Sequence, residues 1–107
     1  MEKILTKEEF KNAVENNGDK LVLFDYKAGW CGPCRVLGNI FEEILPVENV
    51  VAYEVDLDEA DEELATENNI RNIPTVLFYK NGLLIDRFTG MIGREALENK
   101  IKENIEK

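Results

Sequence analysis

The chain is 107 residues long, with 44% hydrophobic residues, 33% charged residues and a net charge of -9. This length fits one domain, 1–107, with a single compact core, and the composition excludes disordered and fibrous proteins. The negative charge would repel a phosphate backbone, so we expect no nucleic acid among the partners.

No run of residues approaches the roughly 20 consecutive apolar positions that a membrane-spanning helix needs. Residues 1–9 also lack the apolar segment of a signal peptide. We therefore expect a cytoplasmic protein without a membrane partner. Because the cytosol keeps thiols reduced, a lone pair of cysteines there is more often catalytic or metal-binding than structural.

Apolar periodicity and turn signals predict alternating strands and helices. Thr6 and Glu9 form a capping box that opens a helix, and the continuous apolar run 21–24 is typical of a central strand covered on both faces. In chain order, the predicted elements are a short strand at 4–5, a helix from Thr6 to 16–18, a strand at 20–26, a helix after the cysteines ended by Pro46, a strand at 50–56, a helix over 58–67, strands at 75–79 and 83–88, and a last helix with Leu97, Ile101 and Ile105.

The order of these elements predicts an α/β fold with a mixed sheet. Strand and helix in alternation require parallel pairing through a right-handed crossover. Asn81-Gly82, in contrast, is a strong signal for a two-residue hairpin between the last two strands.

Both cysteines lie in the sequence Trp30-Cys31-Gly32-Pro33-Cys34, shortly after the strand at 20–26. Two thiols at this spacing could form a catalytic dithiol, half of a metal site or a structural disulfide. Residues three apart in the first turn of a helix lie about 5–6 Å apart, within the Cα separation of a disulfide. Since proline is tolerated in a first turn, the motif is predicted to lie where a loop enters a helix.

The two cysteines have different predicted roles. Cys31, at the N-terminal end of the helix, faces unpaired amides and the positive end of the helix dipole, which stabilise a thiolate and favour it as the attacking group. Cys34, one turn further, is more shielded and suits a resolving role. The predicted chemistry is thiol–disulfide exchange, which needs no cofactor beyond the redox-active disulfide Cys31–Cys34.

The other two uses of a cysteine pair are disfavoured. Structural zinc takes four ligands and catalytic zinc about three, whereas the chain has no histidine and no third cysteine, so no metal is expected. Four cysteines shared between two subunits would still satisfy zinc. A structural bridge between residues three apart constrains the unfolded chain little.

Asp25 is the only acidic residue in the apolar run before the cysteines. It is either a solvated residue at a frayed strand end or a buried carboxyl held beneath the cysteines. A buried carboxyl would have a perturbed pKa and could carry the proton that thiol–disulfide exchange moves. The pattern of residues alone leaves both interpretations open.

The run Phe-Asp-Tyr-Lys-Ala-Gly-Trp-Cys-Gly-Pro-Cys-Arg at 24–35 resembles the active-site signature of the thioredoxin family. Segments 55–58, 70–75 and 78–82 and Gly90 match that family in order and spacing, so the resemblance covers essentially the whole chain. It implies the thioredoxin fold, a central mixed β-sheet flanked by helices on both faces.

The resemblance also implies roles for single residues. Asp25 would be a buried general acid/base, and Pro74 would follow a cis peptide bond and face the disulfide. A proline there removes an amide and leaves Ile73 free to pair its backbone with an extended substrate segment. The implied exposed apolar rim for substrates consists of Trp30, Gly32, Pro33, Ile73, Pro74, Gly90 and Met91.

Three departures from the family pattern predict tuning of the site. Lys27 replaces a usually aromatic residue, and we expect it to pair with Asp58. Glu54 replaces a common lysine, and its proximity to Asp25 would raise the pKa of one of the two carboxyls. Gly38-Asn39 stands where a kinking proline is common, which predicts a straighter or looser helix.

The function implied by the resemblance is a general protein-disulfide reductase in electron transport and redox homeostasis, acting as a monomer. Its partners would be disulfide-containing substrate proteins and a thioredoxin reductase, either flavin-dependent with NADPH or ferredoxin-linked. Gly32-Pro33 resembles the reducing members of the family, because the oxidising relatives generally carry a histidine there. The same dipeptide and Trp30 disfavour a glutaredoxin.

A non-catalytic module that only borrows the fold is a different class of function. Such a scaffold would not need both cysteines, Asp25 and Pro74 together, and the chain has all four. The reductase is therefore the favoured interpretation.

Overall fold

The computed structural model describes all 107 residues as five strands and four helices. No helix in it is long and apolar enough to cross a lipid bilayer. In chain order, the elements are β1 (Glu2–Lys3), α1 (Lys7–Glu15), β2 (Leu21–Lys27), α2 (Gly32–Ile44), β3 (Val50–Asp56), α3 (Glu63–Thr66), β4 (Thr75–Lys80), β5 (Leu83–Thr89) and α4 (Arg94–Ile105).

The five strands form one mixed sheet in the order β1-β3-β2-β4-β5, which confirms the predicted fold class. β3 pairs in parallel with β1 and β2, whereas β4 pairs antiparallel with β2 and β5. Asn81 and Gly82 join β4 to β5 with φ values of 52° and 81°. Positive φ at both turn positions matches the twist of the flanking strands, and this is why Asn-Gly predicts the hairpin.

Alternating residues of β2 serve two separate cores because β2 lies in the middle of the sheet. Val22, Phe24 and Tyr26 face α1 and α3, whereas Leu21 and Leu23 face α2 and α4. Apart from Lys27, every residue of β2 is buried. The helices thus cover both faces of the sheet, as expected.

Two elements differ from the sequence-based prediction. β1 lies two residues earlier than 4–5, although buried Ile4 still donates its amide to the Glu54 carbonyl at 2.9 Å. The helix predicted over 58–67 is only Glu63–Thr66. The acidic residues before it form turns, since only Leu64 in that helix is buried and a single anchor cannot hold a longer one.

The peptide bond between Leu45 and Pro46 is cis, which the sequence did not indicate. It follows the last residue of α2, where proline was expected to end the helix.

The predicted capping box at the start of α1 is present. Thr6 Oγ1 accepts a hydrogen bond from the Glu9 amide at 3.1 Å, and Glu9 Oε1 accepts one from the Thr6 amide at 3.1 Å. Thr6→Ala should therefore lower the free energy of unfolding by about 1 kcal/mol, because it leaves a first-turn amide without its acceptor. Urea unfolding would measure the loss. Thr6→Ser keeps the hydroxyl and should retain most of the stability; an equal loss in both variants would contradict the capping role.

Candidate functional site

The cysteine motif lies at the point where the chain leaves the carboxyl end of β2 and enters α2. Cys31 is the N-cap of α2, and its Sγ accepts the Cys34 amide at 3.2 Å. The two cysteines form a disulfide with their Cα atoms 5.3 Å apart. The loop is fixed by Cys31 N donating to the Ala28 carbonyl at 3.1 Å and by Arg35 Nη1 donating to the Gly29 carbonyl at 3.0 Å. The predicted placement at a helix start is confirmed.

The two cysteines border different grooves of the surface. Cys31 is 6% exposed and borders a groove of about 510 Å³, whereas Cys34 is 1% exposed and borders a second one of about 1070 Å³. We call these the front groove and the rear groove. The front groove is lined by Trp30, Cys31, Gly32, Pro33, Leu57, Ile70, Arg71, Asn72 and Ile73. The rear groove runs between α2 and β3 and includes Asp25, Lys27, Cys34, Gly38, Asn39 and Glu54.

Asp25 is a buried carboxyl, which resolves the choice between the two interpretations of this residue. It is 1% exposed, and neither of its carboxyl oxygens has a hydrogen-bond partner. Burial, together with the nearby negative charge of Glu54, raises the pKa of Asp25 to about 7, and the positive charge of Lys27 opposes both effects. The carboxyl therefore changes its protonation state near neutral pH, within reach of the rear groove.

Glu54 and Lys27 lie beside Asp25 on the same face of the sheet. Glu54 is the register partner of Asp25 on the neighbouring parallel strand β3, and it raises the pKa of Asp25 as expected. The prediction that Lys27 pairs with Asp58 is wrong: Lys27 Nζ lies 3.8 Å from Glu54 Oε2. Asp58 is exposed beyond the end of β3, where its backbone amide donates a hydrogen bond to Asp56 Oδ1 at 2.9 Å. Glu54 is the nearer partner because it shares a sheet face with Lys27.

The peptide bond between Ile73 and Pro74 is cis, as the resemblance implied. Gly90, with a φ of 94°, donates its amide to the Pro74 carbonyl at 2.8 Å and so lies against this segment. Ile73 is half-buried and packs on the two cysteines. Pro74, however, is buried and does not belong to an exposed rim, because the strand that begins at Thr75 carries it inward.

The remaining rim residues divide into two groups. Trp30 is 71% exposed and lines the front groove with Gly32, Pro33 and Ile73. Met91 is 52% exposed but lies outside that groove, as does Gly90.

Sequence reasoning missed four residues of the front groove. They are Leu57, Ile70, Arg71 and Asn72. The last three directly precede Ile73-Pro74, so their place in the chain next to a substrate-facing segment was a usable signal. Leu57 follows β3 and is distant from these residues in the sequence, so only the fold brings it to the same groove.

Gly38-Asn39 does not interrupt α2, which is continuous from Gly32 to Ile44. A Cβ at Gly38 would meet nothing within 4 Å, since the position faces the rear groove. The small residue here therefore leaves space beside Cys34.

The raised pKa of Asp25 makes stability depend on pH. Below about pH 4 the carboxyl is protonated in both the folded and unfolded states. Between about pH 4 and 7 only the unfolded state loses the proton, so the folded state loses stability as the pH rises and reaches a plateau above about pH 7. Asp25→Asn removes this dependence and should raise the free energy of unfolding at about pH 8 by up to about 4 kcal/mol.

Urea unfolding of the oxidised proteins at about pH 4, 6 and 8 measures the difference between wild type and Asp25→Asn. The difference should be largest at pH 8. A gap that stays constant over this range would show that Asp25 titrates normally in the folded protein.

The chain is similar to proteins of one family in sequence and structure. The family model described as Thioredoxin matches residues 2–103. The thioredoxin of Ictalurus punctatus is 43% identical over 98 residues, covering 89% of this chain and 90% of that protein. The thioredoxin of Mycoplasmoides gallisepticum is 38% identical over 103 residues, covering 95% of this chain and 100% of that protein.

Solved structures give the same result. The thioredoxin of Malassezia sympodialis superposes with a TM-score of 0.85 at 36% identity, covering 98% of this chain and 90% of that one. The thioredoxin of Plasmodium falciparum gives a TM-score of 0.85 at 31% identity, covering 96% and 98%. With a disulfide between two cysteines three residues apart at the start of a helix, these matches identify a disulfide reductase, and the chain belongs to the thioredoxin family.

Proposed function

We propose that this protein reduces disulfides in other proteins with Cys31 as nucleophile, Cys34 as resolving thiol and Asp25 as general acid/base. The observation that carries this assignment is that the two cysteines line different grooves. Cys31 borders the front groove, where Trp30 is exposed, whereas Cys34 borders the rear groove together with Asp25.

The first step is the attack of the Cys31 thiolate on a substrate disulfide. A bond forms between Cys31 Sγ and one substrate sulfur, and the other substrate sulfur leaves as a thiolate that takes up a proton. The Cys34 amide, which donates to Cys31 Sγ at 3.2 Å, would stabilise the attacking thiolate, as would the N-terminus of α2.

The second step releases the product. The Asp25 carboxylate accepts the Cys34 proton, Cys34 Sγ attacks Cys31 Sγ, and the substrate sulfur leaves as a thiolate. The Cys31–Cys34 disulfide forms again, so two electrons have passed to the substrate. A pKa near 7 suits Asp25 to this role, because it is a carboxylate in part of the molecules at neutral pH.

The proposed substrate surface is the front groove with the backbone of Ile73, which directly precedes the buried Pro74. No backbone hydrogen bond within the chain uses Ile73, so its amide and carbonyl are available to an extended substrate segment. Trp30, Gly32 and Pro33 would contact the same segment, and Gly90 and Met91 would border it beside Pro74. Main-chain contacts of this kind fit many protein disulfides rather than one sequence.

The proposal includes the supply of electrons. A thioredoxin reductase, either flavin-dependent with NADPH or ferredoxin-linked, would reduce the Cys31–Cys34 disulfide after each turnover, in the cytoplasm and with the protein as a monomer. One chain supplies the disulfide and both grooves, which supports monomeric action. The disulfide is the only redox group that the proposed cycle needs; neither a metal, a nucleic acid nor a membrane enters it.

Replacing each cysteine separates the two steps. Cys31→Ser should abolish insulin reduction by dithiothreitol above the uncatalysed rate, since the nucleophile is lost. Equal activity of Cys31→Ser and the wild type would instead favour a non-catalytic scaffold.

Cys34→Ser should still attack but should not resolve. It is expected to accumulate mixed disulfides with substrate proteins through Cys31, visible as reducible adducts on non-reducing gels and identifiable by mass spectrometry. The double variant Cys31→Ser/Cys34→Ser is the control. Adducts of equal amount in that double variant would contradict the assignment of Cys31.

Trp30→Ala tests the front groove as the substrate surface. Loss of this exposed aromatic should raise KM for insulin about fivefold, which corresponds to about 1 kcal/mol of binding, with little change in kcat. Leu83→Ala is the matched control, because Leu83 is 67% exposed but lies at the β4–β5 turn. Equal KM values in the two variants would place substrates elsewhere.

A further inference from the structure

Three charged side chains meet on one face of the sheet beneath Cys34. Asp25 and Lys27 are two residues apart on β2 and therefore point to the same face. Glu54, the register partner of Asp25 on β3, lies on that face as well. All three line the rear groove with Cys34.

Only two of these three groups are paired in the oxidised protein. Lys27 Nζ is 3.8 Å from Glu54 Oε2, a loose contact, and their side chains are 25% and 20% exposed. Asp25 has no hydrogen-bond partner at either oxygen. A buried carboxyl without a partner favours its neutral form, and a nearby cation lowers the free-energy cost of ionising it.

Lys27 is the cation positioned to form an ion pair with ionised Asp25. The cross-strand spacing puts Glu54 next to Asp25, and the side chain of Lys27 is long enough to reach either carboxyl from the neighbouring position on the same face. Its positive charge already lowers the pKa of Asp25 from where it lies.

We propose that Lys27 is a positioning residue for the resolving step, its ammonium group moving from Glu54 to Asp25 when Asp25 ionises and returning when Asp25 is protonated again. This inference rests on the proposed role of Asp25 as general acid/base.

The cycle of charges balances. Asp25 first releases its proton to water in the rear groove, and Lys27 moves next to the new carboxylate. The carboxylate then takes the proton of Cys34 as Cys34 Sγ attacks Cys31 Sγ. Asp25 is neutral again, and Lys27 returns to Glu54, whose negative charge would otherwise lack a partner.

Two other cations border the rear groove, Arg35 on α2 and the amino terminus of Met1, but Lys27 is the cation that lowers the pKa of Asp25. Arg35 on α2 donates to the Gly29 carbonyl at 3.0 Å, and β4 places apolar Val76 opposite Asp25. Glu42 on α2 and the amino-terminal residue Met1 border the same groove and complete its charged groups.

The test measures the Asp25 titration directly, by ¹³C NMR of its carboxyl carbon in the oxidised protein. Lys27→Gln should move the midpoint upward by at least about half a pH unit, whereas Lys27→Arg should stay near the wild type because it keeps the charge. Glu54→Gln should move the midpoint downward. In the double variant Lys27→Gln/Glu54→Gln the two opposite shifts should largely cancel. Lys20→Gln, which removes an exposed lysine just before β2, controls for net charge.

The kinetic readout is the rate of the resolving step in a single turnover. In Lys27→Gln this rate should fall about threefold at about pH 6 and recover above about pH 9, where Asp25 is ionised without help. A purely structural role would lower the rate at every pH.

The inference is overturned if Lys27→Gln leaves the midpoint of the Asp25 titration unchanged, if Lys27→Arg shifts that midpoint equally, or if the rate loss does not depend on pH. A wild-type protein that fails to reduce insulin would refute the proposed function instead, while the NMR titration stays measurable.

Discussion

The alternation of side chains along β2 is the constraint on which the rest of the structure depends. With strands on both sides and helices on both faces, this strand has no solvent-facing side to which a polar residue could turn. Asp25 therefore has to point into the core beneath α2, on the face that Leu21 and Leu23 share. A one-residue shift of register would move each side chain of β2 to the opposite face of the sheet. The pairing of β2 with its neighbouring strands therefore holds the Asp25 carboxyl beneath Cys34.

The pKa of Asp25 depends on the residues that share its face of the sheet, Lys27 on the same strand and Glu54 on the neighbouring one. Burial makes the ionised form of Asp25 costly, and Glu54 adds a like charge one strand away. Lys27 moderates both effects. The three side chains come from two strands that meet in parallel, so a change in any one of them alters the electrostatic environment of the other two.

Much of the fold could be predicted from local signals, because they act within a few residues. The capping box of Thr6, the Asn81-Gly82 turn and the apolar run of β2 each report a short-range preference that the tertiary structure keeps. The partner of Lys27 could not be predicted in this way, because it depends on which strand positions share a face. The buried state of Pro74 likewise depends on how β4 enters the sheet.

Cys31 lines the front groove and Cys34 lines the rear groove, and Gly32 between them borders both. A protein docked on the front groove would leave the rear groove, which Cys34 and Asp25 line, uncovered. Asp25 is only 1% exposed, so the rear groove brings solvent close to this carboxyl without exposing its oxygens.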